Sequence, residues 1–225
     1  MATLLLVEDH TLFRAGIRAL IERSACAHKI VGEAADGLAA IRQVRDLLPD
    51  ILLMDVSMPR LNGIETARQL HKEFPSMSIV MLSMHADPEY IFAALDAGAS
   101  AYILKDAAFA ELEAALRAVL AGDKYLSAGV RSAVQAGRGT EGPVAPLVTS
   151  LSPRERQILQ LVGEAFSNAE IASELSLSIR TVETYRQNMM NKLNLHSVAA
   201  LTAFAIRHGI CSQEAASHPD SSGAA

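Results

Sequence analysis

Tryptophan is absent, and aromatic residues make up only 4% of the 225 positions. A roomy, aromatic-lined ligand pocket is therefore hard to build from this chain. Cysteine is nearly absent too: Cys26 and Cys211 lie far apart with no CxxC spacing, which excludes a disulfide scaffold and a zinc knuckle and leaves two reduced thiols. Thirteen Gly and eight Pro are too few for a collagen-like or low-complexity chain. No apolar run approaches the roughly 20 residues of a membrane span. The stretch Met1–Asp9 has no basic region and turns acidic at Glu8, so no signal peptide is expected and the cytoplasm is the expected compartment.

An excess of cations is also missing. The net charge is −5, and residues 1–125 carry all of it, with 12 Lys+Arg against 17 Asp+Glu. Residues 150–210 carry 6 against 5. A uniformly basic nucleic-acid binder is excluded, and any DNA contact in the back half must gather its few cations on one face.

What remains is an ordinary globular composition, half hydrophobic and one-fifth charged, of a length that fits two domains. Short apolar runs at Thr3–Val7, Ile30–Glu33, Ile51–Met54, Ser78–Leu82 and Ala101–Leu104 read as strands. They alternate with amphipathic helical patterns at 11–23, 37–47, 63–73, 87–97 and 108–121. Five such units predict an α/β domain over 1–121, a doubly wound, parallel, flavodoxin-like (βα)5 sheet. Asp87-Pro88 reads as a cap followed by a first-turn proline. Residues 122–149 collect Gly and Pro, lose periodicity and are expected to be a flexible linker. From Leu151 the pattern is helical only. Ser152-Pro153-Arg154-Glu155 and Ser167-Asn168-Ala169-Glu170 are capping boxes, and a short helix, a tight turn at Ser176–Ser178 and a longer helix over 179–193 make a helix-turn-helix signature. A small all-α domain is expected over 150–210, with a disordered tail over 211–225.

Ligands of open α/β sheets bind beyond the carboxyl ends of the strands. Those ends carry Glu8 and Asp9, then Asp55, Ser83 and Lys105. Three carboxylates on one edge repel unless a cation sits among them, and hard oxygen donors suit Mg²⁺. A lysine and a hydroxyl beside them suit phosphoryl oxygens, leaving one carboxylate free as a nucleophile. An acidic pair at a strand end is ordinarily a solvated cap; all five groups on the correct ends in order are not.

Residues 1–121 resemble the receiver domains of two-component response regulators. The resemblance is carried by Leu6-Val7-Glu8-Asp9-His10, by Leu53-Met54-Asp55-Val56-Ser57-Met58-Pro59 with Asn62-Gly63, and by Gly98–Asp106. It implies that Asp55 accepts a phosphoryl group from a sensor histidine kinase. It implies Mg²⁺ at Glu8, Asp9, Asp55 and the backbone carbonyl of Ser57, a switch pair of Ser83 and Tyr102, and Lys105 as charge partner. Ser83 stands where Thr is commoner, and Asp106 where Pro is common. Ser57 and His85, two residues beyond Asp55 and Ser83, are expected to overhang the phosphoryl group.

Residues 150–210 resemble the helix-turn-helix domain of the LuxR/NarL/FixJ regulators, through Leu151–Arg156, Ser167–Ala172 and Leu177–Tyr185. On the helix over 179–193 the exposed polar residues then read as DNA contacts. Arg180, Thr181, Tyr185, Arg186 and Lys192 are assigned to phosphates, and Glu183, Thr184 and Gln187 to base edges. Tyr185 stands where His is common. In the relatives this sequence resembles, the helix over 197–208 pairs two copies, and the stripe Val198, Leu201, Phe204 and Ala205 is expected to help there, though part of it must serve the core.

Three rival readings compete, of which a constitutive DNA binder with a vestigial receiver is opposed by the intact set of Glu8, Asp9, Asp55, Ser83 and Lys105. A dehalogenase-like phosphatase needs a general acid two residues after its nucleophile, and Ser57 occupies that position. An autoinducer sensor needs the aromatic pocket this chain lacks. The expected partners are a histidine kinase, double-stranded promoter DNA and a second copy of the chain, with no membrane partner and no enzymatic turnover.

Overall fold

The computed structural model of the chain describes residues 1–24, 28–137, 150–208 and 210–211. Cys26, residues 138–149 of the expected linker and the tail from residue 212 lie outside the described residues. Two compact units are present, Met1–Val144 and Ala145–Ala225.

The first unit is a parallel sheet of β1 (Thr3–Val7), β2 (Lys29–Ala34), β3 (Ile51–Asp55), β4 (Ser78–Ser83), β5 (Ala101–Leu104) and β6 (Tyr125–Leu126). The strand order is β2-β1-β3-β4-β5-β6. Strand side chains alternate between the faces, and both faces are buried. Leu5, Val7, Leu52, Met54, Ile79, Met81 and Tyr102 meet α2 (Gly37–Leu47), α3 (Gly63–Glu73) and α4 (Pro88–Asp96). Leu4, Leu6, Ile51, Leu53, Val80, Leu82 and Ile103 meet α1 (Thr11–Arg23) and α5 (Ala108–Leu120). This is why the strands read as unbroken apolar runs. The Asp36 and Asn62 side chains cap α2 and α3, accepting from Ala39 N and Glu65 N. Pro88 opens α4 as expected, but the Asp87 side chain makes no capping hydrogen bond.

The linker expectation needs correcting at its front end. Residues 125–126 add the sixth strand, and α6 (Ala128–Gly137) packs back onto the sheet through Val130, Ala133 and Val134. Gly129, which reads as a helix breaker, serves packing instead: a Cβ there would lie 3.0 Å from Leu104 Cδ1. A two-residue strand is too short to show a period, and small residues concealed an i, i+3, i+4 apolar stripe.

The second unit contains α7 (Pro153–Gly163), α8 (Asn168–Glu174), α9 (Ile179–Leu193) and α10 (Val198–Arg207). Both expected capping boxes are formed, and Ser178 and Ser197 cap α9 and α10. The core gathers Ile158, Leu161, Ile171, Val182, Met189 and Leu193, with Leu201, Phe204 and Ala205. Those last three are buried, so the expected pairing stripe on α10 is mostly core. Only Val198, 47% exposed, is left on the surface. Cys211, expected to begin the tail, is buried in the same core.

Candidate functional site

The carboxyl ends of β1, β3, β4 and β5 bring the predicted groups to one edge of the first unit. Glu8, Asp55, Ser83 and Lys105 are all buried, and Asp9 is half-buried. Lys105 Nζ lies 2.8 Å from Glu8 Oε2 and 2.9 Å from Asp55 Oδ2. Ser57 N donates to Asp55 Oδ1 at 3.2 Å. Gly63 lets α3 start directly beneath this strand end, since a Cβ there would lie 2.1 Å from the Asp55 carbonyl oxygen.

The electrostatics follow from burial. Burial, and then the Glu8 charge, push the Asp55 carboxyl up to about 6 against the pull of Lys105. Burial alone would lower Lys105, but Asp55 and Glu8 outweigh it and hold the ammonium above its ordinary range. Anionic Asp55 is thus costly in the absence of a further cation, and one lysine serves two carboxylates. Single ligand atoms of Glu8, Asp9, His10 and Asp55 all lie within 4.8 Å of one another. Hard oxygen donors with surplus negative charge are what Mg²⁺ requires, so the residues fit that ion.

Ser83 and Tyr102 are joined through His85. The Ser83 Oγ accepts from His85 N at 3.0 Å, and the Tyr102 hydroxyl donates to the His85 carbonyl at 2.9 Å. Tyr102 is fully buried, and its burial raises the phenol well above its ordinary pKa. The Ser57 hydroxyl and His85 Nε2 meet at 3.3 Å, and the imidazole stacks on Tyr90 with centroids 4.2 Å apart.

Two neighbours were not foreseen. His10 Nδ1 lies 3.0 Å from Asp9 Oδ1 and 3.2 Å from Glu8 Oε1, which was legible as a histidine beside an acidic pair. Lys105 Nζ also sits 4.8 Å from the centre of the Phe13 ring, and Phe109 meets Phe13 edge-on at 5.8 Å. These contacts join Phe13 of α1 to Lys105 after β5 and to Phe109 of α5, and no local pattern announces them.

In the second unit, α8, the turn at Ser176–Ser178 and α9 form the helix-turn-helix. Arg180, Glu183, Thr184 and Gln187 are exposed on α9, while Thr181 and Tyr185 are half-exposed. Two assigned cations are engaged otherwise. Lys192 Nζ lies 2.8 Å from Glu155 Oε2, the carboxylate that completes the capping box of α7. Arg186, half-buried, donates to Asn168 Oδ1 at the start of α8. Both side chains tie α9 to its neighbours.

Residues 4–117 match the family of response regulator receiver domains, and residues 149–205 match the bacterial regulatory proteins of the luxR family. The chain belongs to the response regulators. Among its relatives, the response regulator UvrY of Escherichia coli K12 is 38% identical over 218 residues, covering 95% of this chain and 98% of its own. The transcriptional regulatory protein LiaR of Bacillus subtilis is 33% identical over 208 residues, 92% of this chain and 98% of its own. The structure of an RcsB–DNA complex aligns with a TM-score of 0.56 at 30% identity, covering 90% of this chain and 96% of that one. RcsB of Salmonella typhimurium aligns with a TM-score of 0.58 at 30% identity, covering 90% and 97%. This response regulator is therefore a DNA-binding transcriptional regulator rather than an enzyme. Among its described residues no helix is long and apolar enough to cross a membrane.

Proposed function

We propose that Asp55 is the phosphoacceptor of this response regulator and that its modification by a sensor histidine kinase controls promoter binding. The observation that carries this reading is the Lys105 ammonium shared between Glu8 and Asp55 at 2.8 and 2.9 Å. An Asp55 oxygen attacks phosphorus as the bond to the donor breaks, and Lys105 turns from carboxylate to phosphoryl oxygen. On this reading Ser83 donates to a second oxygen, and His85 and Tyr102 follow its hydroxyl, a coupling supported by their hydrogen bonds. Mg²⁺, held by Glu8, Asp9, Asp55 and the Ser57 carbonyl, would offset the charge of the incoming dianion.

On this reading Arg180 and Thr181 of α9 meet phosphates and Glu183, Thr184 and Gln187 read bases, with Tyr185 at the margin; their exposure supports the assignment. A helix-turn-helix unit with 6 cations against 5 anions has a weak electrostatic hold on DNA. A two-fold homodimer doubles the contacts and reads two half-sites of duplex promoter DNA. The exposed Val198 and the small Ala199 and Ala203 beside it offer the α10 face for that pairing. The cytoplasm is where such a chain would meet both its kinase and the chromosome.

The test is intact-protein mass after treatment with acetyl phosphate and Mg²⁺, followed by titration on one inverted-repeat promoter fragment. One phosphoryl group and tighter binding are expected of the wild type, and neither of Asp55→Ala. A modified Asp55→Ala protein would overturn the assignment.

A further inference from the structure

The segment that leaves the first unit is built into the strand that carries Tyr102. β6 pairs with β5 in parallel register, Tyr102 opposite Leu126. Ser127 follows and is wholly buried. Its N–H donates to the Tyr102 carbonyl at 3.0 Å, and its Oγ accepts from Leu104 N at 3.4 Å. One serine thus bonds the β5 backbone on both sides of Ile103, directly before Lys105.

Side chains repeat the connection. Val130 of α6 is fully buried in the cluster that holds the Tyr102 ring and Ile91 of α4, with Ala133 and Val134 packed against it. Glu111 of α5 fastens the outer side, accepting from the Tyr125 hydroxyl at 2.7 Å and from Ala128 N at 3.4 Å. A plain tether would leave these backbone groups to water. This one spends a buried hydroxyl on β5.

Tyr102 is the junction. Hydrogen bonds run from the Ser83 hydroxyl through the His85 backbone to the Tyr102 hydroxyl, and from the Tyr102 carbonyl to Ser127, while Val130 shares the apolar cluster that holds the Tyr102 ring. Close-packed clusters answer a displaced ring by repacking as a unit, not by yielding locally.

We propose that Ser127 and Val130 are positioning residues for Tyr102, and that β6 and α6 carry the state of Tyr102 into the chain leading to the DNA-binding unit. This rests on Ser83 and Tyr102 acting as the switch pair of a phosphorylated Asp55. When the Ser83 hydroxyl is held by a phosphoryl oxygen, His85 and Tyr102 lose freedom and α6 is held more firmly on α4 and β5. When it is not, excursions of Tyr102 loosen α6 up to Gly137, from which residues 138–149 lead to the second unit.

The experiment is amide hydrogen exchange on the full chain, with and without acetyl phosphate and Mg²⁺, reading peptides over 83–85 and 125–135. Exchange over 125–135 is expected to slow by about threefold or more on phosphorylation, a typical coupling between packed elements, and not to change in Asp55→Ala. Val130→Ala and Ser127→Ala are expected to take up one phosphoryl group at close to the wild-type rate. Their phosphorylation-driven gain in promoter affinity should nevertheless fall severalfold, and Val130→Ile should restore it. Exchange over 125–135 that stays unchanged or quickens while 83–85 responds overturns the proposal and leaves Asp55 as phosphoacceptor. A full affinity gain in both variants overturns it as well. Should Val130→Ala fail to fold, Ser127→Ala and the wild-type exchange decide. Absence of any phosphoryl gain in mass overturns the Asp55 reading and this proposal together.

Discussion

The Ser57 hydroxyl and His85 Nε2 meet at 3.3 Å across the edge of the sheet that holds Asp55. The ring is stacked on Tyr90, its Nε2 is engaged with Ser57, and burial lowers its pKa so that the imidazole is neutral at pH 7.5. A ring so engaged is poorly placed to orient a water and well placed to exclude one. His85→Ala should therefore shorten the life of the phosphorylated protein severalfold, as followed by intact mass over time. An unchanged or longer lifetime would contradict the shielding role.

The Asp55 carboxyl sets a pH dependence. Its folded-state pKa of about 6 lies above the ordinary 3.8, so the folded state favours the protonated form. The stability this gives is complete below about pH 4 and is lost as pH rises through 6. The difference corresponds to roughly 3 kcal/mol at neutral pH, an upper bound because Lys105 also loses a partner on substitution. Without Mg²⁺, Asp55→Asn should melt several degrees above wild type at pH 7.5, with the gap closing by pH 4. Mg²⁺ should raise the wild-type melting temperature and leave the variant nearly unmoved. Equal melting of the two metal-free proteins at pH 7.5 would count against this electrostatic balance.

Lys192 and Arg180 should behave differently on DNA. Arg180 is exposed, so Arg180→Met should reduce the slope of log affinity against log salt by about 1 per protomer. Lys192 is tied to Glu155, so Lys192→Met should lower the melting temperature of the second unit and leave the salt slope intact. Burial raises the Glu155 carboxyl, but Lys192 and Ser152 outweigh it and hold its pKa below the ordinary value. The stability from this pair is therefore present above about pH 4.5 and lost on acidification below it. A lost unit of salt slope in Lys192→Met would restore that residue to the DNA surface.

Phe13 faces the Lys105 ammonium at 4.8 Å. A cation over an aromatic face contributes about 0.5–1 kcal/mol at exposed sites and about 2 kcal/mol when desolvated, as the buried Lys105 is, or roughly two- to thirtyfold in rate. Phe13→Leu should slow phosphorylation by acetyl phosphate by that factor, and Phe13→Trp should not. The effect of Phe13→Leu should vanish in a Lys105→Met background. Persistence there would assign Phe13 to packing alone.

The first five strands with their helices, the four helices of the second unit and the acidic edge were legible in the sequence. Unbroken apolar strand runs, capping boxes and turns have a reach of only about five residues, so Ser152 and Glu155, or the run ending at Asp55, carry their meaning locally. Carboxyl ends of strands in a parallel sheet share one edge, and this alone brings Glu8, Asp9, Asp55, Ser83 and Lys105 together. Tertiary structure decided which partner each side chain takes. Lys192 reads as a free cation until Glu155 is found 37 positions away. Which residues of the Val198–Ala205 stripe serve the interface and which the core is undecided until Leu201, Phe204 and Ala205 are found buried together. Residues 125–137 read as linker because their fastenings, from Ser127 to Tyr102 and from Glu111 to Tyr125, join separate elements. Such pairings are set by the packing of elements already formed, and nothing in a local window of sequence records them.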